Sequence, residues 1–345
     1  MWKPISDSPI LAFAYQRLSY HIIQKKARVF SLFCEFDLYN AAHPLTKRSR
    51  CDNLKQMQQE VMTMRIYKLS REQISEWIPQ RDPWAHKGDF GKILLLCGSK
   101  GYTGAAALAA MGALRSGAGL VYLGVPECIY AIEAVKLTEP IVFPLPDDGS
   151  CFSAQAINGV IQRIGKMDAV LIGCGCGKSE GVHSLLELFI TQYPGALVID
   201  ADGINCLKRH KDILRERTAP TILTPHDGEF SRLGGVLTED RISSAAGMAR
   251  DLGVIVLLKG HETVITDGNT AYVNTTGNPG MAVGGSGDVL AGIITSLLGQ
   301  GLAPMEAAAA AAWLHGAAGD ICAQELSQAG MLPTDMLTVL ARLMK

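Results

Sequence analysis

Short runs of consecutive apolar residues recur along the chain from residue 92 onward, and each ends in glycine, proline or a polar turn. Runs of Val, Ile and Leu without polar alternation are typical of parallel strands that are covered on both faces. Two shorter runs, ETVITDG (262–268) and TAYVNTT (270–276), predict a hairpin that closes one edge of the sheet. The longer runs are KILLLCG (92–98), GLVYLGVP (119–126), DAVLIGCG (168–175), GALVIDADG (195–203), PTILTP (220–225) and GVIVLLKG (253–260).

Segments of helical length follow most of these predicted strands. The alternation predicts βαβ units and hence an α/β fold, a doubly wound, mostly parallel sheet flanked by helices. Ligands bind such sheets at the carboxyl ends of the strands, where nearly every glycine-rich or polar segment of this chain falls. We therefore expect an enzyme with its site at that edge. The predicted helices are 103–116, 153–165, 180–192, 238–252, 286–300 and 304–325.

Residues 1–63 differ in character from the rest of the chain. They are basic, aromatic and aperiodic, which predicts a poorly structured N-terminal extension ahead of a domain at 64–345. Met62 or Met64 is a candidate for the genuine initiator. A basic targeting arm is the alternative, although the acidic residues in the segment argue against a transit peptide.

Composition excludes several classes of function. Apolar residues make up 48% of the chain and charged residues 19%, with a formal net charge of -1, so no global field attracts nucleic acid or an anionic membrane. No run reaches the roughly 18 apolar residues that span a bilayer. The 9 cysteines contain no CxxC pair and suit a reducing cytoplasm. We interpret the close pair Cys174 and Cys176 as small side chains in a glycine loop, in preference to a metal or redox site.

The glycine-rich segment GNPGMAVGGSGDVLAGII (277–294) contains the strongest candidate for catalysis. Gly285 and Gly287 allow backbone N–H groups to approach an anion, and the following helix adds its positive N-terminal end. Asp288 would then lie within reach of a substrate hydroxyl as a general base. The alternative is a tight turn in which Asp288 only caps the helix.

Two further strand ends hold polar residues with candidate roles. Lys259, beside Gly260 and Thr263, is placed to meet a phosphate, or it is an ordinary solvated lysine. His226 and Glu229 share one side of an opening helical turn because of their i, i+3 spacing. His226 is a candidate substrate contact and Glu229 a candidate for orienting water on Mg²⁺, whereas a surface histidine is the alternative. A zinc site would need further ligands, which the neighbouring sequence does not contain.

Seven segments occur in a characteristic order along the chain. They are HKGDFGK, GAAALAAMGALRSGAGLVYLGVP, IGCGCG, DADGIN, TPHDGEF, LLKGHETVI and GNPGMAVGGSGDVLAGII. Together they resemble the ADP-dependent NAD(P)H-hydrate dehydratases, a branch of the ribokinase-like superfamily. The resemblance covers residues 66–345 and implies a three-layer sandwich without a lid domain. It implies a lyase that repairs hydrated NADH or NADPH, consuming ADP and releasing AMP and phosphate.

The resemblance also implies roles for individual residues. Asp288 resembles the catalytic aspartate, with Gly287 beside it, and the amides around Gly285 and Gly287 are expected to stabilise developing charge. Ala105, Gly175 and His226 resemble, with Asp288, the positions that contact the hydrated dinucleotide. The positions that resemble the adenine-nucleotide site are Lys259, Gly260, His261, Glu262, Thr263 and Gly287.

Cofactor and partners follow from the same resemblance. Mg²⁺ and the co-substrate ADP are expected, together with a homotetramer and a separate epimerase, because the residues ahead of the domain are too few for an epimerase domain. The main rival is a thiazole or pyridoxine kinase of the same superfamily. It is disfavoured by His226, since TPN is the usual kinase form, and by the lack of an inserted lid. A non-catalytic nucleotide sensor should have lost Asp288.

Overall fold

One ten-stranded sheet forms the centre of the protein. The structure is a computed structural model that describes residues 64–208 and 211–344. The predictions for residues 1–63 lie outside the described residues. The strands are β1 Arg65–Lys68, β2 Lys92–Leu96, β3 Leu120–Pro126, β4 Ile141–Leu145, β5 Ala169–Ile172, β6 Ala196–Ile199, β7 Thr221–Leu223, β8 Ile255–Leu258, β9 Thr263–Thr266 and β10 Thr270–Asn274.

The sheet is open and mostly parallel, as predicted. Its order is β1-β10-β9-β8-β7-β6-β5-β2-β3-β4, and β9 alone among these strands runs antiparallel to its neighbours. The predicted hairpin is confirmed in β9 and β10, but the prediction that it closes the edge is wrong. β1 pairs in parallel with β10 and forms that edge. Its RIYK sequence is exposed along its whole length, so it has no apolar run to reveal it.

The described residues form eleven α-helices. The helices are α1 Arg71–Trp77, α2 Thr103–Arg115, α3 Glu127–Lys136, α4 Ala156–Ile164, α5 Glu180–Gln192, α6 Ala201–Leu207, α7 Asp227–Arg232, α8 Arg241–Leu252, α9 Ser286–Gly299, α10 Pro304–Leu326 and α11 Pro333–Leu343. The six predicted helices are confirmed to within three residues at each end. Only the opening turn of α7 was predicted, and α1, α3, α6, α11 and the strands β1 and β4 were not predicted.

Helices cover both faces of the sheet, which makes three layers. Successive residues of a strand point to opposite faces, so Leu95 joins the core under α2, α9 and α10, whereas Leu94 and Leu96 join the core under α4, α5 and α8. All three side chains are fully buried. This burial on both sides explains why the strands read as continuous apolar runs. No helix in the described part of the chain is long and apolar enough to cross a membrane.

The helices α2 and α9 approach each other closely because each has a glycine at the crossing. A methyl group on Gly112 would lie 2.6 Å from the carbonyl oxygen of Val289, and one on Gly292 would lie 2.1 Å from that of Ala109. Both separations are shorter than a carbon–oxygen contact allows. The glycines therefore let the α9 backbone lie against α2 and place the start of α9 at the carboxyl end of the sheet.

Candidate active site

The first turn of α9 presents Asp288 and a set of backbone amides at the carboxyl edge of the sheet. Gly285 precedes the helix with φ 98°, a conformation that favours glycine. A methyl group there would lie 2.4 Å from Cδ1 of Leu108, so a side chain would strain the backbone and require Leu108 to move. The first N–H groups of a helix have no intrahelical acceptor. Those of Gly287 and Asp288 are therefore available to an anion.

Asp288 lies close to a second carboxylate, which changes its acidity. Single ligand atoms of Cys174, Asp200 and Asp288 all lie within 4.8 Å of one another. Burial and the charge of Asp200 raise the pKa of Asp288 to about 7, while a hydrogen bond from Cys174 and the charge of Lys259 oppose the shift. A carboxylate with a pKa near neutrality can both accept and release a proton at physiological pH. Asp288 therefore has the property required of a general base.

Asp200 follows β6 directly and lies with its hydrogen-bond partners at the buried end of the site, which we call its floor. Its side chain is buried, and Oδ1 accepts hydrogen bonds from Thr224 Oγ1 at 2.6 Å and Lys259 Nζ at 2.9 Å. The Cys174 thiol donates to Oδ2 at 3.4 Å. Asp200 belongs to the family segment DADGIN, but its sequence context predicted no role for it. A carboxylate immediately after a buried parallel strand was the signal that could have identified it.

Lys259 lies between Asp200, at this floor, and Gly287 of the glycine-rich segment. Its Nζ lies 2.9 Å from Asp200 and 3.8 Å from Glu229, and a methyl group on Gly287 would lie 3.5 Å from it. Burial alone lowers the pKa of Lys259, but the charges of Asp200 and Glu229 outweigh it and the pKa is raised. The side chain is 21% exposed. Lys259 is therefore a mostly buried, charged counterion facing the glycine loop, in contrast to the solvated lysine considered above.

The residues after Lys259 form a tight turn. Thr263 Oγ1 donates to the carbonyl oxygen of Gly260 at 2.9 Å, and Glu262 adopts φ 55°. Arg241 of α8 stabilises the turn through a hydrogen bond, in which its Nη2 donates to the Lys259 carbonyl oxygen at 2.9 Å. His261 and Glu262 are exposed beside it. The turn thus presents the predicted nucleotide residues on one rigid segment, and Arg241 is a supporting residue that sequence reasoning missed.

His226 and Glu229 lie on one side of the first turn of α7, as their spacing predicted. The His226 amide donates to Glu229 Oε2 at 3.0 Å, and His226 Nδ1 accepts from the Gly228 amide at 3.0 Å. His226 Nε2 lies 3.4 Å from Glu229 Oε1. The His226 side chain is about half exposed and that of Glu229 is buried. Both Glu229 oxygens therefore have partners within the protein, while the imidazole remains accessible to a ligand.

Ala105 and Gly175 are direct neighbours across the site. Gly175 adopts φ 62°, and a methyl group on it would lie 2.7 Å from Cβ of Ala105. Ser99 Oγ donates to the Gly175 carbonyl oxygen at 2.7 Å and holds the loop. Tyr102 is 63% exposed beside them and was not singled out from the sequence. The two predicted dinucleotide contacts thus form one flat, small-residue surface at the start of α2.

Adding a methyl group at Gly175 provides a test of this surface. We expect Gly175→Ala to raise the KM of a dinucleotide ligand several-fold, because the new methyl group must displace Ala105 and the start of α2. Gly253→Ala is the matched control, since Gly253 has a similar φ of 66° but open space around it. Both substitutions should cost about 1 kcal/mol in backbone strain. Equal ligand binding by the two variants would contradict the role of the surface.

Not all the cysteines near the site have the same surroundings. Cys176 Sγ donates to the Leu96 carbonyl oxygen at 3.1 Å and is buried, which agrees with the prediction of a small structural side chain. Cys174 instead faces Asp200 and Asp288. A hydrogen bond with the neighbouring thiol of Cys97, together with burial, raises the pKa of Cys174 well above its ordinary value, so the group is a neutral thiol in the resting site.

Comparison with known protein sequences identifies relatives. The sequence model of the NAD(P)H-hydrate dehydratase family matches residues 93–342. The bifunctional NAD(P)H-hydrate repair enzyme Nnr of Moorella thermoacetica is 42% identical over 270 residues, 76% of this chain and 51% of the relative. The enzyme of the same name from Escherichia coli K12 is 34% identical over 284 residues, 81% of this chain and 52% of the relative. The chain therefore spans about half the length of the curated relatives it matches.

Solved structures agree with these sequence matches. An ADP/ATP-dependent NAD(P)H-hydrate dehydratase from Bacillus subtilis, co-crystallised with ATP and Mg²⁺, has a TM-score of 0.68 and 30% identity, over 82% of this chain and 98% of that chain. A ribokinase-like superfamily protein from Enterococcus faecalis V583 has a TM-score of 0.72 and 28% identity, over 81% of this chain and 95% of that chain. The ribokinase-like fold predicted from the sequence is confirmed.

Proposed function

Since the chain belongs to the NAD(P)H-hydrate dehydratase family, we propose that it converts the S-epimer of hydrated NADH or NADPH back to the reduced cofactor. The reaction consumes ADP and releases AMP and phosphate. One observation supports this proposal above the others. A carboxylate with a pKa of about 7, Asp288, lies in the first turn of a glycine-preceded helix and next to the buried cation Lys259. A base and an anion site are thus adjacent.

The chemistry requires both features. Hydroxide is a poor leaving group from the hydrated ring, whereas phosphate is a good one. Asp288 removes the proton of the ring hydroxyl, whose oxygen attacks the β-phosphorus of ADP, and the bond from that phosphorus to the AMP oxygen breaks. The C–O bond to phosphate then breaks with electron release from the ring nitrogen, and loss of a ring proton restores the dihydronicotinamide. The products are the reduced cofactor, AMP and phosphate.

The protein contributes binding and charge stabilisation to these steps. The free amides of Gly287 and Asp288, together with the preceding Gly285 turn, face the position where negative charge develops on the transferring phosphoryl group. Lys259 supplies the positive charge beside Gly287. The turn that includes Gly260 and Thr263 would hold ADP. Ala105 and Gly175 would hold the hydrated dinucleotide, with His226 at its exposed side.

The site also fits a magnesium ion that arrives with the nucleotide. Asp200 and Glu229 are buried carboxylates beside Lys259, and carboxylate oxygens are ligands that Mg²⁺ accepts. Because both Glu229 oxygens already have protein partners, Glu229 would hold a water of the ion. When bound, Mg²⁺ supplies charge neutralisation at the phosphates. We also propose that the protein is a cytoplasmic homotetramer and that a separate epimerase acts in the same pathway.

An assay with defined reactants tests the function. The full chain is mixed with S-hydrate of NADH, Mg²⁺ and ADP, and regeneration of reduced cofactor is followed by its near-ultraviolet absorbance. We expect absorbance to rise only when ADP is present, with one AMP and one phosphate per cofactor. A kinase would instead accumulate a phosphorylated alcohol with ATP. Absence of ADP-dependent regeneration, with the folded state verified, would refute the proposed reaction.

The pH dependence of the reaction follows from Asp288. The carboxyl must be ionised to accept a proton, and burial raises its pKa to about 7. We therefore expect kcat/KM to increase tenfold per pH unit below about pH 7 and to level off above it, since kcat/KM reports ionisation in the free enzyme. Rates measured across this range in buffers of constant ionic strength provide the test. A flat profile down to about pH 5 would contradict a base with this pKa.

Replacing His226 separates the two ligands. We expect His226→Ala to raise KM for the hydrate about tenfold with little change in KM for ADP, because His226 is proposed to contact the hydrated dinucleotide and its imidazole is about half exposed. Loss of the Nδ1 cap should cost about 1 kcal/mol of stability, so the variant stays folded. The two KM values are measured separately. A change confined to ADP would show that His226 serves the other ligand.

A further inference from the structure

A thiol and two carboxylates converge on one point at the floor of the site. The ligand atoms of Cys174, Asp200 and Asp288 lie within 4.8 Å of one another. Cys174 follows β5, Asp200 follows β6 and Asp288 belongs to α9, so three separate elements bring them together. The proposed dehydration uses the two carboxylates but gives no role to the thiol. A mixed sulfur and oxygen donor set suggests a ligand of its own.

The spacing of these atoms fits a tetrahedral metal ion. Zinc binds thiolate sulfur at about 2.3 Å and carboxylate oxygen at about 2.1 Å, which places two such ligands about 3.6 Å apart. Cys174 Sγ and Asp200 Oδ2 are already 3.4 Å apart. The ligand atom of Asp288 lies within 4.8 Å of the other two, so a small adjustment of its side chain would complete the set. Three protein ligands leave the fourth position of the ion for water.

The hydrogen bonds around Asp200 leave the required oxygen available. Lys259 and Thr224 both donate to Oδ1, at 2.9 and 2.6 Å, whereas Oδ2 faces Cys174. The positive charge of Lys259 is shared between Asp200 and Glu229. Asp288 therefore adds a carboxylate that this single ammonium group does not neutralise. A divalent cation on the Oδ2 side would compensate the excess negative charge.

We propose that Cys174, Asp200 and Asp288 form a binding site for a thiophilic divalent cation such as Zn²⁺. Thiolate ligands favour zinc, cobalt and cadmium over Mg²⁺, so this site differs in ligand chemistry from the one that serves the nucleotide. On binding, the S–H bond breaks, the metal–sulfur bond forms and one proton is released to solvent. Occupancy would block Asp288. That inhibitory consequence rests on the proposed function, whereas metal binding does not.

Cobalt serves as a spectroscopic probe of the site. The nucleotide-free full chain is titrated with Co²⁺ alone, and we expect one ion per chain with a near-ultraviolet sulfur-to-cobalt charge-transfer band and intense tetrahedral visible bands. Cys174→Ser should remove the charge-transfer band and weaken binding at least about tenfold. Cys322→Ser, at a buried cysteine of α10, is the control and should keep both. Cys174→Ala replaces the serine variant if the latter has a lowered thermal midpoint.

Two results would overturn the proposal. A charge-transfer band that survives in Cys174→Ser and Cys174→Ala would assign the metal to other thiols, and a parent protein without the band would show that the triad does not bind thiophilic ions. Turnover gives a separate readout. Micromolar Zn²⁺ should lower the rate of the parent and of Cys322→Ser but not that of Cys174→Ser, each relative to its own metal-free rate. If no variant turns over, the proposed function fails while the cobalt spectra still decide the metal site.

Discussion

Asp288→Asn is expected to lower kcat at least about 100-fold while the protein stays folded and still binds ADP, as for removal of a positioned proton acceptor. Asparagine nearly preserves the volume of aspartate and can still cap a helix. If Asp288 only capped α9, the variant would therefore keep most of its activity. Steady-state kinetics with the hydrate and ADP, together with ADP binding measured by calorimetry, distinguish the two roles.

The same substitution is expected to stabilise the ligand-free protein. Burial and Asp200 raise the pKa of Asp288 from 3.8 to about 7, so ionising it in the folded state costs at most about 4 kcal/mol. When folding raises the pKa of a carboxyl group, the free energy of unfolding of the protein decreases as the pH rises from the unfolded-state pKa to the folded-state pKa. The gain from Asp288→Asn should therefore be absent near pH 4, grow up to about pH 7 and remain constant above it. Thermal midpoints across this range test the sign, and a loss of stability at pH 8 would contradict it.

Lys259→Met is expected to lower the free energy of unfolding by about 3–5 kcal/mol and to weaken ADP binding by at least about tenfold. Removing one partner of a buried ion pair leaves the other uncompensated, and here both Asp200 and Glu229 lose the ammonium group. The raised pKa of Lys259 lies above the physiological range, so the stability it contributes is present throughout neutral pH. Chemical denaturation at constant pH measures the change.

A second strand-end lysine provides the matched control for this change. Lys68 ends β1 and is exposed, so Lys68→Met should alter stability by less than about 0.5 kcal/mol. A Lys259→Met protein as stable as Lys68→Met would show that the buried pair contributes nothing. Unchanged ADP affinity would separately remove Lys259 from the nucleotide site.

The elements that could be predicted are those in which consecutive residues are apolar because both faces of the element are buried. Strands such as β5 and β8 have apolar side chains on both faces, which leaves an unbroken apolar run. β1 could not be recognised, because its four exposed residues are held by pairing with a strand about 200 positions later in the chain. β4 was equally hidden, since Ile141 is exposed and Pro144 interrupts the pattern.

The residues of the candidate site likewise include some that could be predicted from local sequence and others that could not. Gly285 was recognisable because its positive φ favours glycine locally. Asp200 and Arg241 were not assigned roles, because their importance lies in what they contact: Lys259 Nζ in the first case and the Lys259 carbonyl oxygen in the second. Arg241 and Lys259 are 18 positions apart and Asp200 and Lys259 are 59 positions apart, so no local sequence pattern predicts these contacts.

The layered α/β fold, the glycine-lined helix start and the segments that meet at the carboxyl edge of the sheet could all be predicted from the amino-acid sequence. Those features depend on local propensity and on hydrophobic periodicity. The proximity of Asp288 to Asp200, Cys174 and Lys259 became visible only in three dimensions, because the four residues come from four separate strand or helix ends. The acidity of Asp288 depends on that proximity, because Coulomb interactions and desolvation act through distance in space and not along the chain.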